Sequence, residues 1–341
     1  MGPSPNESLI CSEGKFTEQK ICVQRPPLGN SWAYMDPAVG HQHSEESSPG
    51  YASFRTHDGT PIYHIPYKYD NFFESPIWNP TFVHSMFERY WHYSFAIVAF
   101  YVAGIYSLQK WMINRKPFNL KTPLILWNTS LALFSAVGFW RLSEEFFFVL
   151  SRRSFQDSVC LSIDPTQAAA FWALCFALSK VAELFDTVFL VMRKRPLIFL
   201  HWYHHAIVLC YSWAAACKLT AAARYFITMN YGVHSIMYTY YAITSTGFRL
   251  PRRLSMLVTT LQTTQMLIGV GVTIYVASLK WRYGPELVCQ QTNENLIFCF
   301  SIYFTFAILF ARFFINAYLT PKHKQTASCR VENGVDDKKS D

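Results

Sequence analysis

Apolar residues fill seven stretches of the length a bilayer requires, roughly 20 residues each, at 93–112, 123–149, 168–192, 197–217, 222–245, 254–279 and 295–319. The pattern predicts seven helices joined by short loops. Polar residues inside these stretches recur at helical spacing, so each predicted helix carries one polar stripe and an apolar remainder. In the fourth stretch His201, His204 and His205 fall within an arc of roughly 100°. In the fifth, Asn230, His234, Met237 and Tyr241 follow i, i+4, i+7 and i+11 and share a face. The third carries Lys180, Glu183, Asp186 and Thr187, and the sixth carries Gln262 and Gln265. Hydrocarbon cannot solvate such groups, so the stripes must face a protein interior or a wet cavity.

Composition agrees with the pattern: 341 residues, 51% hydrophobic, 17% aromatic and 15% charged, the make-up of a polytopic membrane protein and not of a soluble enzyme. A net charge of +8 would suit nucleic acid if it were gathered in one patch, but it is dispersed through short loops, which excludes that partner. The cations follow the odd-numbered stretches: Lys110, Arg115, Lys116 and Lys121, then Arg193, Lys194 and Arg195, then Arg249, Arg252 and Arg253. Such an excess marks the cytosolic side, placing those loops and the C-terminus in the cytosol and the N-terminus in the lumen. The tail ends KKSD, with Lys338 and Lys339 at the positions of a dilysine retrieval signal, which points to the endoplasmic reticulum membrane; an ordinary charged terminus is the alternative.

Three regions follow. Residues 1–80 are polar, rich in Pro and Ser and without an apolar signal-peptide core, and read as a disordered extension. Residues 81–320 form the seven-span domain, and 321–341 the cytosolic tail. Asn6, with Glu7 and Ser8, forms a glycosylation sequon that a lumenal N-terminus would expose, whereas the sequon at Asn128 lies inside the second span and stays unmodified. Cys160 and Cys289 fall in two loops on the lumenal side, where oxidising conditions favour a disulfide between them; two free thiols are the alternative. Cys175, Cys210, Cys217 and Cys299 read as small packing residues.

With a rise of about 1.5 Å per residue, His205 lies about 13 Å from the cytosolic end of its helix, His234 roughly 15 Å, and Glu183 and Gln262 about 12–15 Å. Helices running in alternate directions thus bring their polar groups to one level, predicting a single buried site in the cytosolic half of the bilayer. Plainer readings stand beside this one. His234 can serve as a hydrogen-bonding link to a neighbouring helix, Lys180 and Glu183 as a structural ion pair, and Gln262 and Gln265 as interhelical glue. The run Tyr238, Tyr240 and Tyr241 reads as packing and cavity lining.

An HxxHH cluster has two chemical uses: neutral imidazoles bind a metal, or one imidazole acts as nucleophile while its neighbours move protons. Membrane desaturases and hydroxylases take the first course with many more histidines, spread over several boxes. Four intramembrane imidazoles and few carboxylates are too sparse for such an iron pair, which favours metal-free nucleophilic chemistry.

The strings KVAELFDT (180–187), HWYHH (201–205), MNYGVHSIMYTYYA (229–242) and LQTTQM (261–266), in this order and spacing, resemble the ELO family of very-long-chain fatty acid elongases over roughly residues 64–320. HWYHH with Trp202, together with NYGVH, is similar to the subgroup acting on saturated and monounsaturated chains. The resemblance implies an all-α membrane protein of seven transmembrane helices, with helices two to seven as an inverted barrel around an acyl tunnel closed at its lumenal end. It implies a 3-oxoacyl-CoA synthase that condenses a long-chain acyl-CoA with malonyl-CoA and releases carbon dioxide and CoA. His204 would be the nucleophile, forming an acyl-imidazole in a ping-pong scheme. His201 and His205 would move protons or orient groups, and His234 would face the reacting carbonyls. Asn230, Gln262 and Gln265 would donate hydrogen bonds, Lys180, Glu183 and Asp186 would position the box, and Tyr241 would line the cavity. Arg249, Arg252 and Arg253, with Lys194 and Arg195, are candidate contacts for the CoA phosphates, with a purely topological role as the alternative. No bound cofactor or metal is expected; malonyl-CoA is the co-substrate. Expected partners are membrane lipid, a 3-oxoacyl-CoA reductase, a 3-hydroxyacyl-CoA dehydratase, an enoyl-CoA reductase and further copies of the chain. An iron-dependent lipid desaturase or hydroxylase and a non-enzymatic seven-span receptor or channel are the competing classes.

Overall fold

Helical periodicity in the apolar stretches is realised as a nearly all-helical fold. The structure, a computed structural model, describes residues 9–13, 20–24, 52–55, 61–65, 67, 68, 71, 74 and 80–320 apart from 166, 219, 285 and 286. Two short antiparallel hairpins come first, β1 (Leu9–Glu13) with β2 (Lys20–Gln24) and β3 (Ala52–Arg55) with β4 (Pro61–His64). The helices are α1 (Pro80–Tyr90), α2 (Tyr93–Met112), α3 (Lys121–Arg152), α4 (Phe155–Cys160), α5 (Ala168–Ala182), α6 (Phe185–Met192), α7 (Phe199–Cys217), α8 (Ala223–Ser245), α9 (Arg252–Tyr283) and α10 (Asn293–Phe314), the last running into a π turn at Ile315–Leu319. The expected Asn6 sequon and the Lys338–Lys339 signal lie outside the described residues.

Among the described residues four helices are long and apolar enough to cross a membrane: α2, α3, α9, and α10 with its π turn. Phe100, Leu126 and Ile297 on these helices are exposed, as residues facing lipid would be. The stretch 168–192, expected as one helix, is two. Between α5 and α6 the hydrogen bonds tighten to i+3 spacing, from Leu184 N to Val181 O (3.3 Å), Asp186 N to Glu183 O (3.1 Å) and Thr187 N to Leu184 O (3.3 Å). The tightening redirects a dense run of polar side chains, so that Lys180 and Glu183 pair with each other while Asp186 and Thr187 find partners on other helices.

α3 packs along α8, α9 along α10, and α5 against α7. Glycine lets the first pair approach closely. A Cβ at Gly138 of α3 would lie 2.6 Å from the Tyr231 ring of α8, and one at Gly232 of α8 would lie 3.0 Å from Phe139 of α3. The largest apolar cluster lies among α7, α8, α9 and α10 and includes Tyr211, Phe226, Val276, Cys299 and Phe306.

Two buried ion pairs tie α3 to its neighbours. Arg224 of α8 donates through Nε and NH2 to the Glu145 carboxylate (2.7–3.1 Å) and through NH1 to the carbonyls of Ser158 and Leu161. Arg141 of α3 donates to both oxygens of Glu74, at 2.8 and 2.5 Å, and Trp172 Nε1 donates to the same carboxylate at 2.7 Å. Glu74 belongs to the stretch expected to be a disordered extension, and it does not stand alone. Gln167 brackets the backbone of Ile65, accepting from its N–H at 3.1 Å and donating to its carbonyl at 2.6 Å, while Ala169 N–H donates to the Tyr67 hydroxyl at 3.0 Å. Ile65, Tyr67 and Glu74 are therefore docked on the helices, because buried polar groups must find partners wherever the chain supplies them. Cys160 and Cys289 form a disulfide, and Cys175, Cys210, Cys217 and Cys299 remain as thiols.

Candidate active site

α7 begins at Phe199, after an extended Ile198, and this start sets the phase of the HxxHH residues. The rings of His201 and His205, one turn apart, lie 4.6 Å apart. His201 Nε2 is 3.1 Å from Thr187 Oγ1, which in turn lies 2.7 Å from the Tyr101 hydroxyl of α2. His204 turns the other way, toward α10, with its ring 4.7 Å from Phe306 and 6.1 Å from Phe310. Its Nδ1 is buried with no hydrogen-bond partner.

The polar stripes of α5 and α8 meet behind it. Lys180 Nζ donates to Glu183 Oε1 (2.7 Å) and to Asn230 Oδ1 (3.1 Å), and Ser179 Oγ donates to the same Glu183 oxygen at 3.1 Å. Asn230 Nδ2 is 3.3 Å from His234 Nε2, and the other ring nitrogen of His234 lies 3.9 Å from Glu183. Glu183 and Lys180 line neither of the two cavities beside the histidines and contact Asn230 and His234 from behind. Asp186 accepts from Trp127 Nε1 at 2.6 Å and from the Tyr238 hydroxyl at 2.7 Å, tying α6 to α3 and α8.

Two cavities adjoin these groups. One, about 390 Å³, is lined by His201, His204, His205 and His234 together with Asp186, Gln262, Tyr241 and Arg193. The other, about 160 Å³, is largely apolar and follows one face of α7 through His204, Val208, Tyr211, Ser212, Ala215 and Ala216, with Asn230, Gln265 and Phe306 across from it. His204 is the residue common to both. Among the described residues no three His, Cys, Asp or Glu side chains gather as a metal-binding set.

Such a junction of a more polar and a greasy chamber at a single imidazole suits a ligand with a polar head and a long apolar tail. Residues 86–326 match the family described as ELO: GNS1/SUR4 family. The chain belongs to the ELO family. It is 40% identical to very long chain fatty acid elongase 6 of Drosophila melanogaster over 81% of this chain and 87% of that one. It is 43% identical to very long chain fatty acid elongase 3 of Homo sapiens, with 70% and 87% covered, and 41% identical to very long chain fatty acid elongase 6 of Gallus gallus, with 68% and 86% covered.

Not every residue picked from this ELO sequence reaches the site. Arg249, Arg252 and Arg253 line neither cavity. Arg252 instead donates to the carbonyls of Ala317 and Tyr318 at 3.2 Å each, closing the end of the last helix, because carbonyls left over at a helix terminus attract a nearby cation. Lys194, at positive φ, donates to Ile113 O at 2.9 Å. Arg193, one residue earlier, is the loop cation that lines the polar cavity. Sequence reading missed its role, along with those of Trp127, Tyr101 and Phe306. A loop cation carries no mark of its direction, and apolar or aromatic residues on membrane helices are too common to stand out.

Proposed function

We propose that this chain is a 3-oxoacyl-CoA synthase of fatty acid elongation, joining a long-chain saturated or monounsaturated acyl-CoA to malonyl-CoA. The observation that carries the reading is His204, shared by both cavities and with a buried ring nitrogen free of any partner. A thioester carbonyl at this imidazole puts CoA on the polar side and the tail on the apolar side. From His204 to Ala216 the cavity follows about 18 Å of helix. Carbon–carbon bonds of about 1.5 Å, set in a zigzag, each add a little over 1 Å, so the length suits a tail of roughly 14–16 carbons.

In the first half-reaction a ring nitrogen of His204 attacks the thioester carbonyl. The C–S bond breaks, and CoA leaves as the thiol with the imidazole proton. Malonyl-CoA then loses carbon dioxide, and the resulting enolate attacks the acyl carbon. The C–N bond breaks, and the imidazole regains a proton from solvent. His201 and His205 lie beside the nucleophile for proton movement, and His234 approaches from α8. Asn230, Gln262 and Gln265 supply donors to the developing oxyanions, and Arg193 supplies positive charge to the CoA phosphates.

The same reading takes α2, α3, α5 with α6, α7, α8, α9 and α10 as seven spans, with all but the first around the tunnel. It puts the chain in the endoplasmic reticulum membrane with its tail in the cytosol. Its product carries a ketone, so a reductase, a dehydratase and an enoyl reductase must act next. The test is purified protein in detergent with malonyl-CoA and a panel of acyl-CoAs, with 3-oxoacyl-CoA read by mass spectrometry. Acyl-CoA alone adds one acyl group to the intact mass, and His204→Ala abolishes the addition. Failure to form any 3-oxoacyl-CoA sinks the activity; condensation without an acylated protein sinks the covalent route alone.

A further inference from the structure

α2 lines neither cavity, yet one of its side chains is tied to the histidine cluster. The Tyr101 hydroxyl lies 2.7 Å from Thr187 Oγ1, which lies 3.1 Å from His201 Nε2, and both Tyr101 and Thr187 are buried. Counting protons fixes which group donates at each step. Among the described residues Thr187 is the one hydrogen-bond partner of the Tyr101 hydroxyl, and Tyr101 borders no cavity whose water could take its proton. A buried O–H left without an acceptor costs about 1–3 kcal/mol, so Tyr101 donates to Thr187. Thr187 stands in the first turn of α6, just past the break, and its hydroxyl is not bonded to a carbonyl one turn back as those of Thr259 and Thr263 are. Its own proton therefore goes to His201 Nε2, which must be the bare nitrogen of the ring.

A neutral imidazole carries one donor and one acceptor nitrogen, and the bond made at one decides the state of the other. We propose that Tyr101 and Thr187 hold His201 as its Nδ1–H tautomer, so that both act as positioning residues for the histidine cluster. His201 lines the polar cavity, with its ring 4.6 Å from that of His205. With Nε2 accepting from Thr187, Nδ1 bears the only ring proton. On the elongase reading above, on which this consequence rests, His201 offers a proton to an oxygen that gains charge in the reaction and does not accept one. A proton placed on Nε2 would turn Thr187 around and strand a buried hydroxyl proton, so the two hydroxyls also keep His201 from competing with His205 for protons.

The test is NMR of the full-length protein in detergent at neutral pH, which needs neither substrate nor turnover. His201–Trp202 is the one His–Trp pair in the chain, so labelled histidine next to labelled tryptophan picks out the His201 ring without any variant. In wild type Nδ1 carries the proton and Nε2 is bare. A proton on Nε2, alone or together with one on Nδ1, overturns the proposal. Thr187→Val and Tyr101→Phe each release the ring to populate the Nε2–H form, whereas Thr187→Ser keeps the wild-type tautomer; an Nδ1–H ring that neither of the first two disturbs overturns the role of the hydroxyls. With malonyl-CoA and hexadecanoyl-CoA, Tyr101→Phe lowers kcat by roughly three- to tenfold at little change in KM, Thr187→Ser restores what Thr187→Val loses, and adding Tyr101→Phe to Thr187→Val costs nothing more. Losses that multiply in the double variant count against a shared chain. Absence of condensation in wild type sinks the elongase reading and leaves the tautomer to be decided by the spectrum alone.

Discussion

Lys180 and Glu183 are both buried and lie 2.7 Å apart on successive turns of a helix that breaks between them and Asp186. The pair lines neither cavity and contacts Asn230 and His234, which do.

Removing one partner of such a pair strands the other charge in a dry interior. Lys180→Met leaves the Glu183 carboxylate with Ser179 as its remaining close donor, a loss of about 3–5 kcal/mol. The double variant Lys180→Met/Glu183→Gln removes both charges and recovers part of that loss. Thermal unfolding in detergent measures both, and a double variant no more stable than the single one would contradict the stranded-charge account.

Arg193 and Arg252 look alike in sequence and differ in place. Arg193→Ala raises the KM for malonyl-CoA by roughly tenfold or more, as expected for a charge-assisted contact to phosphate. Arg252→Ala exposes the carbonyls of Ala317 and Tyr318, lowering the unfolding temperature with little change in KM. Steady-state kinetics on the two variants side by side decide the assignment, and the reverse ranking in KM would return the phosphate contact to Arg252.

The Glu74 clamp is sensitive to acid. Burial by itself raises the Glu74 carboxyl, but hydrogen bonds from Arg141 and Trp172 outweigh it and hold the group below its ordinary value of 4.5. A depressed folded-state value gives stability that is fully present above the unfolded-state value and is lost as pH falls through the folded one. The difference in unfolding temperature between wild type and Glu74→Gln is therefore largest near neutral pH and shrinks below about pH 4. A gap that stays constant from neutral to acid would show that the Glu74 charge is not what holds the segment.

Cys160 and Cys289 are 129 residues apart in sequence, so their bond closes a long loop. Its removal in Cys160→Ser/Cys289→Ser costs about 2–5 kcal/mol, chiefly by freeing the unfolded chain. Reductant lowers the wild-type unfolding temperature toward that of the variant and leaves the variant unmoved. Because neither cysteine lines either cavity, kcat at low temperature is expected to stay close to wild type.

Much of the helical framework was legible because bilayer length and 3.6-residue periodicity leave a strong trace. The stretch 93–112 coincides with α2, and 197–217 and 222–245 fall within two residues of α7 and α8. The break after Ala182 was not legible, because nothing apolar changes there; it follows from where Lys180, Glu183 and Asp186 find partners. The docking of Ile65, Tyr67 and Glu74 escaped notice for a similar reason. A polar segment far along the chain from Gln167 and Arg141 gives no local sign that it will satisfy them.

The sequence by itself determined that the chain is built from apolar helices, that each polar stripe faces inward, and that His201, His204, His205 and His234 belong to one site. Helix geometry and the cost of exposing an imidazole to hydrocarbon leave little choice in these matters. Only the tertiary structure decided that His204 and no other histidine stands where both cavities meet, and that Arg193 in place of Arg252 lines the polar one. These depend on helix rotation, on the neighbour across the gap and on which polar groups are already satisfied, and each is set by contacts between residues distant along the chain.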